Sequence, residues 1–133
     1  MRKTLLPLVL ALVPSTGLAQ NEEDPRVFFV EPGNGATVGQ EFKVVMGVRG
    51  MDVKPVGDMT GKTGHHHLMI DSASIKTGEV VPVDDKHLHF GKGQTETTVK
   101  LPPGKHELQL QFADGAHRSF GSAMSASIEV TVR

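Results

Sequence analysis

Alternation of apolar and polar residues, broken repeatedly by turn residues, constrains this chain more than any other feature. From His106 to Phe112 the pattern is cleanest: Leu108, Leu110 and Phe112 fall on one face, and Glu107, Gln109 and Gln111 on the other. A two-residue period means an extended strand with one face in a core, so the first three face in and the last three face out. Phe42, Val44, Met46 and Val48 repeat the pattern, as do Thr97, Val99 and Leu101, and then Ile128, Val130 and Val132. Val27 to Val30 is a further short strand, closed by the turn signal Glu31-Pro32-Gly33-Asn34-Gly35. His65 to Asp71 and the short run around His87 to Phe90 complete the set, and Gly50 to Gly64 reads as a loop. No segment carries helical periodicity. The expected fold is all-β, an immunoglobulin-like antiparallel β-sandwich of about seven strands, with a small β-barrel as the alternative.

The N-terminus predicts export. Arg2 and Lys3 precede an apolar stretch from Leu5 to Val13, interrupted only by Pro7, and Gly17-Leu18-Ala19 supplies small residues before a cut. Residues 1–19 therefore read as a secretory signal peptide, too short in its apolar part to anchor the chain. Residues 20–26, which include the acidic run Asn21 to Asp24, form a flexible N-terminal segment, and 27–133 a single β-sandwich domain. The expected location is the periplasm or outside the cell, with no membrane insertion after signal cleavage. The chain has no cysteine, so disulfides and thiolate metal sites are both excluded. With 14 Lys+Arg against 15 Asp+Glu, no tyrosine and no tryptophan, nothing points to nucleic acid.

Chemistry concentrates in the histidines, all seven of which follow residue 64. In a strand His65 and His67 point to one face with Met69, while His66 shares the core register of Leu68 and Ile70. Leu88 and Phe90 claim the core, leaving His87 and His89 on the opposite side. Two histidines at i and i+2 on one strand are half of a metal site, and a neighbouring strand can supply the rest. His117 follows Asp114 in a loop that can bend toward such a site. The predicted ligands are His65, His67, His89 and His117. Secondary candidates are His66, His87 and Met69, together with Asp114 as a residue that orients a ring. Imidazole suits copper, zinc, nickel and iron, and nearby methionines favour copper, with zinc as the alternative. The structural readings compete with these. His66 reads as a hydrogen-bonded core or rim histidine, and His106, just after Pro102-Pro103-Gly104, as a histidine bonded to a turn carbonyl. A histidine cluster could also sense pH without metal.

Two glycine-rich stretches carry no nucleotide chemistry. Gly57 to Thr63 has one residue too few between its glycines for a phosphate-binding loop, and it precedes a strand. Gly91-Lys92-Gly93 reads as a loop that holds His89 near its partners. Hydrolase motifs are absent: there is no Gly-x-Ser-x-Gly, no His-Glu-x-x-His and no persuasive triad among the serines.

The segments Gly64 to Asp71, His87 to Glu96, Leu101 to Leu108 and Phe112 to His117 resemble, in order, the bacterial secreted family known as domain of unknown function 4399. The resemblance runs from about Val27 to the C-terminus. It implies a small exported β domain and brings no activity with it. From the residues themselves, the expected function is a periplasmic metal-binding protein, most readily for copper, serving as chaperone, buffer or carrier and more readily a binder than an enzyme. Its partner is the metal ion, and an envelope protein is a further candidate. The alternatives are an immunoglobulin-like envelope interaction module with structural or pH-sensing histidines, and a copper redox enzyme of the superoxide dismutase type, which also sets i, i+2 histidines on a secreted sandwich.

Overall fold

The computed structural model describes residues 24–133, together with Thr4, Pro7 and residues 9–12. The expected cleavage point after Ala19, most of the signal peptide and Gln20 to Glu23 lie outside the described residues. Among the described residues nine strands follow in order: β1 (Arg26–Glu31), β2 (Thr37–Val38), β3 (Glu41–Arg49), β4 (Asp52–Val53), β5 (Thr63–Ile70), β6 (His87–His89), β7 (Glu96–Lys100), β8 (Gly104–Ala113) and β9 (Ser125–Val132). A three-stranded sheet has the order β1-β3-β7, and it faces a larger sheet ordered β2-β9-β8-β5-β4, with β6 also paired to β5. The architecture is the expected all-β sandwich. It differs in two short parallel pairings, β2 with β9 and β4 with β5, which the alternation could not foretell because each involves only two residues.

The core lies where the two-residue period places it. Val44, Leu68, Leu108, Leu110, Phe112 and Val130 are wholly buried between the sheets, with Phe42, Met46, Val99 and Val132 beside them. Burial of such side chains contributes on the order of 1.5–3 kcal/mol each, and this holds the two sheets together.

The outer face of β5 and β8 departs from expectation. Glu107 is exposed as predicted, but Gln109 and Gln111, expected to face out into water, are 3% and 1% exposed. Every residue of β5 is buried as well. The cause is the segment between β5 and β6, which folds back over this face. It is tied there by backbone bonds from Gly78 N to Ser119 O (2.8 Å) and from Val81 N to His117 O (2.9 Å), and by Ser119 Oγ donating to Ile75 O (3.1 Å). Buried amides need partners, and this cover supplies them. Gln109 Nε2 donates to Ser74 Oγ and Ser125 Oγ, each at 3.0 Å, and Gln111 Nε2 donates to the carbonyls of Gly121 and Phe112, each at 3.1 Å. Val81, Met69 and Ala113 form a small second core under this cover, with Ile75 against it. The larger sheet is thus buried on both faces along β5 and the second half of β8, and the covered outer face holds His65 and His67.

Candidate metal centre

Strand register brings three of the four predicted ligands together. His65 and His67 lie two residues apart on β5, so both project from its outer face. β6 pairs antiparallel with β5 so that His89 stands directly opposite His67, and residues opposite one another share a face. Gly91 then lets the chain pass close to the His89 ring: a Cβ at that position would lie 2.3 Å from His89 Cε1 and 2.7 Å from both His89 Nε2 and Val56 Cγ2. The sequence anticipates a loop there, but the close approach that requires glycine becomes visible only in three dimensions.

The fourth predicted ligand, His117, sits on a turn at the end of β8. Asp114 Oδ1 accepts from Ala116 N (2.8 Å) and Arg118 N (2.9 Å), while His117 N donates to Asp114 O (2.9 Å). These bonds hold His117 in the left-handed region at φ 63 and swing its ring back over the sheet. Gly115 makes room for the neighbouring loop. A Cβ there would meet Asp58 O at 2.3 Å, and Gly57 N donates to Gly115 O at 2.9 Å. Asp114 thus contributes by shaping the turn backbone.

The four imidazoles converge. Their ring centroids are 4.6 Å apart for His89 and His117, 4.8 Å for His65 and His67, and no more than 5.8 Å for any pair. His67 Nε2 lies 3.0 Å from His65 Nε2, which lies 3.3 Å from His117 Nδ1. One nitrogen from each of the four rings falls within 4.8 Å of all the others, so the group could hold a metal ion. Imidazole–metal bonds of about 2.0–2.1 Å set nitrogen–nitrogen edges of about 3.3–3.4 Å in a tetrahedron and about 2.9 Å between neighbours in a square plane. The closest pairs already span these values, and the wider ones need only a small contraction.

The electrostatics suit a cation. His65 and His67 are fully buried, and His89 and His117 are half-buried. Burial, followed by repulsion from neighbouring histidines, pushes His65 down to about 4 and His67 down to about 3. The same two causes lower His89. Neutral imidazole is the ligating form, so at neutral pH each buried ring keeps one nitrogen lone pair that a metal can use. His89 Nε2, His65 Nδ1 and His67 Nδ1 are buried without a hydrogen-bond partner. Buried polar atoms are nearly always satisfied.

The remaining candidates lie elsewhere. His66 is wholly buried on the core face, edge-on to Phe112 with centroids 5.1 Å apart. It is a core histidine as expected, but not a hydrogen-bonded one: both its nitrogens lack partners, and burial pushes it down to about 4. His87 stands opposite Met69 and is held at 2.7 Å by Asp84 Oδ1, outside the group of four. Met69 packs in the small core with Val81. His106 makes the anticipated turn bond, Nε2 to Pro102 O at 2.8 Å, and also reaches Asp71 Oδ2 through Nδ1 at 2.7 Å. Two oxygen acceptors ask both ring nitrogens to donate, and the Asp71 carboxylate accordingly raises His106 above its ordinary value.

The chain belongs to the family described as Domain of unknown function (DUF4399), whose model matches residues 44–133 and so includes all four histidines of the group. No curated protein matches the chain. Among solved structures it is similar to the endo-beta-1,4-mannanase from Thermotoga petrophila, with a TM-score of 0.54 and 16% identity over 87% of this chain. The chain spans only 21% of that enzyme's length, and the likeness is one of fold.

Proposed function

We propose that this protein is an exported metal-binding domain that takes copper between His65, His67, His89 and His117 and serves as a chaperone, buffer or carrier. The observation that carries the reading is the convergence of four imidazoles, two of them fully buried, with one nitrogen from each within 4.8 Å of the rest. Three of the rings stand on paired strands, so most of the site is organised before metal arrives. That lowers the ordering cost of binding. Copper is favoured over zinc because an all-nitrogen donor set discriminates little by softness, and among divalent ions of the first row copper then binds most tightly. The basic, apolar and small-residue order of residues 1–19 supports a periplasmic or secreted location. An envelope protein is the natural source or recipient of the metal.

The test is metal content. The protein is exported, purified without a metal-affinity step, offered equal copper and zinc at neutral pH, dialysed, and assayed by mass spectrometry. One copper per chain, lost in the His65→Ala/His67→Ala variant while its circular dichroism is retained, supports the proposal. No retained metal in the folded wild type refutes it and favours an envelope interaction module with structural histidines. Turnover of superoxide by the copper-loaded protein would replace the carrier role with a redox enzyme.

A further inference from the structure

We infer that His117 is the replaceable ligand of the centre, and that its coordination position accepts an external imidazole-type nitrogen donor, such as a histidine of a partner protein. This rests on the metal reading above and adds how the metal enters and leaves.

The four histidines are not held alike. His65 and His67 are built into β5, which pairs with β8 on one edge and β6 on the other. Moving either means opening the sheet. His89 is fixed in register against His67, and the Gly91 backbone abuts its ring. His117 alone stands on a turn, between the paired residues Ala113 and Ser119. The turn is pinned at its shoulders through Gly115 O and His117 O. The ring itself lies against the other three histidine rings. Its nitrogen lies 3.3 Å from His65 Nε2, against 3.0 Å between His65 and His67. Half-exposed, it is also a ring whose departure opens the centre to solvent without disturbing the sheet.

A three-plus-one arrangement follows. The strand-borne trio retains the metal while the fourth position exchanges. One nitrogen–metal bond breaks as another forms, and the metal's oxidation state does not change. A carrier needs such a step, because simultaneous loss of four ligands from a buried site would be too slow for handover.

The experiment compares wild type, His117→Gly, His117→Ala and His67→Ala, each loaded with Cu(II), by metal content and by electron paramagnetic resonance with and without free imidazole. Glycine suits the left-handed backbone at this position, and alanine guards against an effect of turn flexibility. The expected result is one copper retained in both His117 variants, an altered spectrum, return of the wild-type spectrum on adding imidazole, and faster loss of copper to an external chelator. His67→Ala should lose its copper. If the wild type holds copper but both His117 variants do not, or if imidazole leaves their spectrum unchanged, the inference is wrong while the metal centre stands. If the wild type holds none, both fail.

Discussion

Gly91→Ala offers a sharp test of how the proposed centre is built, because it perturbs the ring of a proposed ligand, His89, through a residue outside the group of four. The added methyl would sit 2.3 Å from His89 Cε1 and 2.7 Å from Val56 Cγ2, where ordinary contact begins at 3.4 Å. Either the His89 ring or the Gly91 backbone must move by about 1 Å, half the length of an imidazole–metal bond. The backbone at Gly91 is not among those in the left-handed region, so the substitution tests the ring contact and not backbone strain. Disturbing the groups that orient a ligand costs about 10–100-fold in metal affinity, or about 1.4–2.8 kcal/mol. Competition titration of copper against a chromogenic chelator measures this, with thermal melting of the metal-free proteins as a control for folding. Wild-type affinity in a folded Gly91→Ala protein would refute His89 as a ligand held by this contact. Val56→Ala should leave affinity nearly unchanged, because it removes the neighbour and not the ring's support.

Other substitutions and pH changes follow from the same geometry. His65, His66 and His67 titrate at about 4, about 4 and about 3 in the fold, against 6.5 when unfolded, so the unfolded chain binds protons first as pH falls. The metal-free protein should therefore lose stability progressively below pH 6.5 and down toward 3; equal melting temperatures at pH 7.5 and pH 5 would contradict this. His106 has the opposite sign. Its pairing with Asp71 contributes stability below the ordinary histidine value and loses it as pH rises through the raised one. Histidine NMR titration should show this, and Asp71→Asn should return His106 toward 6.5. His66→Leu replaces a buried ring with two unpaired nitrogens and should stabilise the protein by about 1–3 kcal/mol. A rise in melting temperature with unchanged copper binding is expected, and a fall would mean that His66 has a partner in solution. Leu110→Ala, deep between the sheets, should cost about 2–5 kcal/mol.

Much of this arrangement was legible in the chain. Alternation located β3, β8 and β9 and their core faces, because a half-buried strand writes its environment into a two-residue period. The i, i+2 spacing of His65 and His67 fixed their common face, and the Leu88/Phe90 register put His89 on the outer side, where pairing with β5 set it against His67. What alternation cannot say is what covers a polar face. Gln109 and Gln111 looked solvated because the covering segment, with Ser74, Ile75 and Val81, has no period of its own. Gly91 and Gly115 were unreadable for a related reason. Each is required by an approach from a part of the chain distant in sequence, Gly91 by Val56 as well as by the nearby His89 ring, and Gly115 by Asp58. His66 shows the limit from the other side: the sequence placed it on the core face, but only the structure shows that nothing there satisfies its nitrogens.

X-ray absorption spectroscopy of the copper-loaded protein counts the donors around the metal and so shows whether the four histidines hold it. The expected result is about four imidazole nitrogens at about 2 Å from the copper, with their characteristic outer-ring scattering, and loss of that shell in the His65→Ala/His67→Ala variant. A shell dominated by oxygen, or one that survives the double substitution, would mean that copper binds elsewhere and that the four histidines are not its ligands.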